Sequence, residues 1–213
     1  MTKNNEKPAA ATVYVVDDDD GMRRALDTLL STVGYKTAVF SRPSEFLAHF
    51  NPDAPGCQVL DIRMPEMSGL GLQHQLNRMG SMLPVIFITG HGDVPTSVQA
   101  MKAGAVEFLT KPFKDDVLLQ AVQDAIERSR VALHLDAEMR ALRNCYESLT
   151  SRERQVMALV VAGLLNKQVG GELGISEITV KVHRGVVMRK MKARSLPDLV
   201  TMATRLEASS PNH

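Results

Sequence analysis

The stretch Val13-Tyr14-Val15-Val16-Asp17-Asp18-Asp19-Asp20 decides the fold, because a short apolar run stops abruptly at four consecutive carboxylates. Four or five β-branched and aromatic residues bounded by polar ones read as a buried strand. Working outward, residues 12–16 are followed by similar runs at 36–40, 58–60, 85–89 and 106–109. Helical patterns lie between them. Leu26, Leu29, Leu30 and Val33 recur at helical spacing over residues 24–33 until Gly34 stops the segment, and residues 94–103 end at Gly104 in the same way. Five strands alternating with helices predict an α/β fold, a doubly wound five-stranded parallel sheet with right-handed crossovers. In such a sheet a ligand lies beyond the carboxyl ends of the strands.

The polar residues at those ends form a coherent set. The first strand runs into Asp17–Asp20, the third ends at Asp61, the fourth at Thr89, and the fifth leads into Lys111-Pro112. Several carboxylates converging on one sheet edge repel one another. A hard divalent cation relieves that repulsion, and Mg²⁺ suits a few carboxylates plus phosphate and water oxygens. A lysine and a threonine hydroxyl beside it can hold the oxygens of a phosphoryl group. Together these are the parts that forming an acyl phosphate requires.

The segments VVDDDD (15–20), LDIRMPEMSG (60–69) and ITGHGDVPTSVQAMKAGAVEFLTKPF (88–113) resemble the receiver domain of response regulators, in its FixJ-like branch. The resemblance implies that Asp61 is the phosphoacceptor and that Mg²⁺ is held by Asp17, Asp18, Asp61 and the Arg63 carbonyl. It further implies that Thr89 is the switch hydroxyl, Lys111 the phosphate-pairing cation behind a cis Lys111-Pro112 bond, and Phe108 the aromatic that moves with Thr89. Asp19 and Asp20 read as helix-start residues, where carboxylates favour the helix dipole. His91, two residues after Thr89, is a further candidate for contact with the phosphoryl group. A rival reading is a phosphatase of the haloacid dehalogenase type, with Asp17 as nucleophile and Asp19 as general acid. It gives Asp61 no purpose, supplies no cap domain and leaves the second half unexplained.

Length allows one large domain or two small ones, and the apolar content is enough to build real cores. The chain has 213 residues, 44% of them hydrophobic, and no apolar run near the ~18 residues a membrane span needs. The start, MTKNNEKPAAA, has no apolar segment behind its lysines and reads as a flexible tail rather than a secretory signal. Cys57 and Cys145 match no metal-ligand spacing, so reduced thiols in a cytoplasmic protein are expected. The net charge of +1 conceals an asymmetry: residues 12–126 carry nine Lys and Arg against fourteen Asp and Glu, and residues 145–213 carry ten against six. An acidic half joined to a basic half suggests nucleic acid as partner of the second.

Between Phe113 and Leu149 there is no Gly or Pro. A helix is expected to start near Asp115, with Val117, Leu118 and Val122 packed on the sheet, and to continue as a connector. Leu135, Met139, Leu142, Tyr146 and Leu149 form a short heptad stripe suited to packing on the second domain. Beyond it, Thr150-Ser151-Arg152-Glu153 is a capping box. Asn166 is expected to cap a short helix over 167–173, Gly174-Ile175 to turn, and Ser176 to cap a third helix over 177–192. On that third helix Val180, Val187 and Met191 share a core face, while Ile178, Lys181, Val182, Gly185 and Arg189 lie across from them. A major-groove surface accounts for apolar residues among cations: Lys181 suits guanine O6/N7 and Val182 a thymine methyl.

Residues 149–200 resemble the LuxR-type helix-turn-helix of NarL/FixJ regulators. The resemblance implies a four-helix domain, with a fourth helix near 196–206 often used for dimers. It assigns base contacts to Lys181 and Val182, and phosphate contacts to Thr179, His183, Lys167 and Arg184 or Lys190. The expected organisation is a tail (1–11), a receiver (12–126), a helical linker (127–145), an all-α DNA-binding domain (146–208) and a tail (209–213). The expected function is transcription control in a two-component system rather than turnover catalysis. The expected partners are a sensor histidine kinase, double-stranded promoter DNA, RNA polymerase and a second copy of the chain, with no membrane. A DNA-binding protein whose receiver only docks is the alternative.

Overall fold

The computed structural model describes residues 11–90 and 94–208. In chain order the elements are β1 (Thr12–Val16), α1 (Asp20–Thr32), β2 (Lys36–Phe40), α2 (Pro43–His49), β3 (Gly56–Asp61), α3 (Gly69–Arg78), β4 (Val85–Thr89), α4 (Val94–Lys102) and β5 (Glu107–Thr110). They are followed by α5 (Asp115–Glu147), α6 (Ser151–Val161), α7 (Asn166–Leu173), α8 (Glu177–Lys190) and α9 (Leu196–Ala208). The chain divides into two compact units, Met1–His134 and Leu135–His213.

In the first unit the strands form one parallel sheet of order β2-β1-β3-β4-β5. β1, β3 and β4 are interior strands and buried along their whole length, which is why they read as continuous apolar runs rather than alternating ones. One face of the sheet packs Val13, Val15, Cys57, Val59, Ile86 and Ile88 against Leu26 and Leu30 of α1 and Leu118, Val122 and Ile126 of α5. The other packs Tyr14, Val16, Leu60 and Phe87 against Phe46, Leu72, Leu76 and Ala100. One residue expected on the sheet, Val117, and the last residue of the α1 spacing pattern, Val33, lie outside this core. Val33 is the C-cap of α1 and 50% exposed, and Val117 is 43% exposed. α5 turns Leu118, Ala121, Val122, Ala125 and Ile126 inward, a spacing of 3, 1, 3 and 1 that excludes Val117.

Sheet register positions the site. Val16 pairs with Leu60 across β1 and β3, so Asp17 and Asp61 emerge side by side at the carboxyl edge. Asp61 pairs with Ile88, so Thr89 stands one residue beyond it, and Thr89 pairs with Thr110 just before Lys111.

The second unit is all helical. α6, α7 and α8 bury Val156, Val160, Val169 and Val180 together. Leu142, Leu149, Met157, Val187, Met191 and Leu199 form a second cluster, joined by half-buried Met139 and Tyr146. Of the heptad stripe, Leu135 alone is left outside, 55% exposed. α5 is a single helix of 33 residues that continues through 127–145, as the absence of Gly and Pro there led one to expect. α6 opens with the expected capping box, Thr150 Oγ1 accepting from the Glu153 N–H and Glu153 accepting from the Thr150 N–H. At α7 the cap is Leu165, not Asn166: its N–H donates to Gln168 Oε1 at 2.8 Å, and Asn166 is the first helical residue. α7 ends at Gly174, whose left-handed backbone (φ 64°) makes the turn into α8. α8 stops at Lys190, two residues short of the expected end.

Candidate functional site

At the carboxyl edge of the sheet, Lys111 reaches into the gap between β1 and β3. Its Nζ donates to Asp17 Oδ2 at 2.7 Å and to Asp61 Oδ1 at 2.8 Å. The other carboxylate oxygens are met by backbone: Asp17 Oδ1 accepts from the Asp19 N–H at 2.8 Å and Asp61 Oδ2 from the Arg63 N–H at 2.7 Å. Asp17 is fully buried and Asp61 6% exposed. Burial raises the Asp17 pKa, and its bonds to Lys111 and the Asp19 N–H offset only part of that. Burial works against the charge of Lys111, but the bonds to Asp17 and Asp61 outweigh it and raise the pKa. The Lys111-Pro112 bond is cis, and the Lys111 N–H donates to the Thr89 carbonyl at 2.7 Å. Thr89 is buried at the end of β4, and Phe108 is half-buried, packed with the core on the α3 and α4 side.

The remaining acidic residues divide as their positions require. Asp18 is exposed at the rim. Asp19 is the N-cap of α1, accepting from the Met22 N–H at 2.9 Å, a bond that lowers its pKa. Its carboxylate therefore serves the helix rather than general-acid chemistry, against the phosphatase reading. Two supporting residues carried no local sequence signal. Arg23 donates to the Asp17 carbonyl at 2.7 Å. Gly69 starts α3 directly above Asp61: its N–H donates to the Ile62 carbonyl at 3.0 Å, and a Cβ there would collide with the Asp61 carbonyl oxygen. His91 lies outside the described residues.

Asp17, Asp61 and Lys111 sum to a net charge of −1, and exposed Asp18 adds another at the rim. Among the described residues no three or more side chains form a ready-made metal cage. Mg²⁺ does not need one, since it keeps several waters and takes one or two carboxylates. The donor set therefore fits a hydrated divalent cation.

In the second unit, Ser176 caps α8 by accepting from the Thr179 N–H at 3.1 Å. Val180, Val187 and Met191 are buried as expected, while Ile178 is 74% and Val182 61% exposed. Lys181 pairs with Glu177 at 3.2 Å on the exposed face. Lys167 and Arg189 are exposed, and Thr179, His183 and Arg184 half-buried. Arg184 donates to Asn166 Oδ1 at 3.3 Å, joining α8 to the start of α7. Lys190 is engaged elsewhere: its ammonium donates to Glu153 Oε2 at 2.6 Å and to the Ser148 carbonyl at 3.0 Å. Nine residues at 3.6 per turn carry it roughly 180° around the helix from Lys181, so it braces α8 against the α6 cap rather than facing outward. No spacing rule exposes that pairing across 37 residues.

Fold and site together define a two-part transcription regulator, a receiver followed by a DNA-binding helix-turn-helix. Residues 13–123 match the family described as response regulator receiver domain, and residues 147–203 the bacterial regulatory proteins of the luxR family. Nodulation protein W of Bradyrhizobium diazoefficiens is 49% identical over 99% of this chain and 92% of its own. The response regulator protein TodT of Pseudomonas putida is 48% identical over 94% and 88%, and the transcriptional regulatory protein FixJ of Rhizobium meliloti 47% identical over 90% and 94%. Among solved structures, the response regulator StyR aligns at a TM-score of 0.85 with 46% identity, over 92% of this chain and all of that one. The chain belongs to the NarL/FixJ family of two-component response regulators. Among the described residues no helix is long and apolar enough to cross a membrane.

Proposed function

We propose that a sensor histidine kinase phosphorylates Asp61 and that this event controls promoter binding through α8. The observation that carries the reading is the ammonium of Lys111 bridging Asp17 and Asp61 at 2.7 and 2.8 Å. A carboxylate nucleophile, a cation within reach of the incoming oxygens and a threonine one register position away meet the needs of acyl-phosphate formation. In the transfer, an Asp61 oxygen bonds to phosphorus as the bond from phosphorus to the kinase imidazole nitrogen breaks. Lys111 then exchanges its bond to the Asp61 oxygen for one to a phosphoryl oxygen, and the Thr89 hydroxyl donates to another. Asp17, Asp18, Asp61 and the Arg63 carbonyl are the groups suited to hold Mg²⁺, which, when bound, neutralises charge building on the phosphoryl oxygens. Water can later hydrolyse the aspartyl phosphate, which ends the signal without making the chain a turnover enzyme.

Movement of Thr89 towards the phosphoryl group draws Phe108 with it and reshapes the face made by α4, β5 and α5, on which two copies then pair. Pairing presents two α8 helices to half-sites about one DNA turn apart or a multiple of that. Lys181, Val182 and Arg189 face the bases, and Lys167, Thr179, His183 and Arg184 the phosphates. Of the two alternatives Arg184 and Lys190, we take Arg184 for the phosphate contact, because two of the three Lys190 donors go to Glu153 and Ser148. RNA polymerase is the partner at the promoter, and the cytoplasm the compartment. We assign residues 12–126 to the receiver, 127–145 to the connecting part of α5 and 146–208 to the DNA-binding domain. The test is a DNA-binding titration of the wild type and Asp61→Asn, each with and without acetyl phosphate and Mg²⁺. Phosphodonor should tighten or release binding in the wild type only. Equal affinity in all four conditions would leave the receiver as a docking module.

A further inference from the structure

The outward face of α8 holds more than its cations. At 3.6 residues per turn, Lys181, Gly185, Ile178, Arg189 and Val182 fall in that order within an arc of about 100°. Two cations, two large apolar side chains and a glycine therefore share one narrow surface. Ile178 and Val182 are 74% and 61% exposed, one turn apart and so neighbours on the helix. Single exposed apolar residues are ordinary, but a pair flanked by Lys181 and Arg189 faces an anionic partner that also offers apolar points of contact.

Gly185 gives a second, independent observation. It sits inside α8 with no positive φ, and a Cβ built on it meets nothing within 4 Å. Neither backbone conformation nor packing within the chain requires glycine there, and alanine would favour the helix. What glycine leaves is a bare strip of backbone between Lys181 and Ile178, open to close approach from outside.

We infer that Ile178 and Val182 together read the 5-methyl groups of two thymines in the major groove, with Gly185 letting the helix settle deeply enough for both. This rests on the DNA-binding reading of α8 and adds Ile178 to its base-contacting residues. Four residues rise about 6 Å along a helix, close to two base steps of about 3.4 Å each. The pair therefore selects thymines within two steps of each other, near a guanine that Lys181 can reach. The N-terminal residues of a recognition helix are those nearest the base edges, and Ile178 is the second residue of α8.

The test uses the full-length chain with acetyl phosphate and Mg²⁺. A duplex is selected from a random library by the wild type, and each thymine is then replaced singly by deoxyuridine, which removes only the methyl group. Losing one buried methyl contact should weaken wild-type binding roughly fourfold at two positions in each half-site. Ile178→Ala should be insensitive to uracil at one of them and Val182→Ala at the other. Gly185→Ala should raise the melting temperature while weakening binding, an opposition that a purely structural glycine does not produce. If no thymine-to-uracil change affects the wild type, or if Ile178→Ala keeps full sensitivity at every position, the inference is wrong. If the library yields no enriched sequence, the DNA-binding reading fails and this inference fails with it.

Discussion

Replacing Asp17 with Asn should make the metal-free protein more stable at neutral pH, although it removes an ion pair. In the wild type, Asp17 and Asp61 share one Lys111 ammonium at 2.7 and 2.8 Å, and both carboxylates are buried. An asparagine keeps an oxygen to accept from the Asp19 N–H but sets its amide NH₂, a donor, where the Lys111 ammonium found an acceptor, and so loses a bond worth about 1.5–3 kcal/mol for a charged pair. Against that, it avoids desolvating a second carboxylate, a penalty of several kcal/mol per buried ion, and it gives Lys111 wholly to Asp61. The raised pKa of Asp17, caused first by burial, says which side wins, because the folded protein prefers this group neutral. A net gain of about 1–2 kcal/mol is expected from that balance. A raised folded pKa means stability is highest with Asp17 protonated and falls as pH rises through that pKa. The advantage of Asn should therefore grow as pH rises and vanish below the ordinary value of 3.8. Urea unfolding between pH 4 and 8 in EDTA measures it, and repeating the series in Mg²⁺ should stabilise the wild type more than the variant. An Asp17→Asn protein less stable than wild type at pH 7 without metal would refute the reasoning.

Three further outcomes follow from the geometry. Gly171→Ala should raise the melting transition of the second unit, by about 1 kcal/mol of helix propensity, since an added Cβ meets nothing within 4 Å; Gly170→Ala should lower it in the same calorimetry, because its Cβ would lie 2.7 Å from the Ile175 backbone carbonyl oxygen, which must shift to admit it. Lys190→Ala should lower that transition at pH 7. The Lys190 ammonium is the first cause holding the Glu153 pKa down, so the deficit should be complete above the ordinary 4.5 and close as pH falls through the folded value. Native alkylation with iodoacetamide at pH 8 should label Cys145 alone, because burial pushes the Cys57 thiol to about 12 and leaves it without solvent contact; labelling of Cys57 at the same rate would contradict its burial.

The strand ends were legible because interior parallel strands are apolar along their whole length and stop where the sheet stops. That is why Asp17, Asp61, Thr89 and Lys111 could be grouped from spacing alone. α2 and α3 escaped the same reading: PSEFLAH spans only seven residues, and GLGLQHQLNR opens with two glycines that weaken any helical pattern. Val117 faces out where its apolar character points inward, because adjacent apolar residues near a helix start do not reveal which of them packs on the sheet. Leu165 took the cap from Asn166 because Gln168 reached back to its N–H, and a side chain that normally caps went instead to Arg184. Contacts between distant segments, such as Glu153 with Lys190, leave no trace in local spacing at all.

Gly69 also bears on how this protein can vary. It contributes no charge, no hydroxyl and no metal ligand, yet the Asp61 carbonyl leaves no room for a Cβ above it. A saturation screen for signalling would therefore rank residue 69 beside Asp61 itself. Anyone inferring chemistry from that intolerance would be misled, since what is being protected is only the distance between a helix and the peptide it rests on.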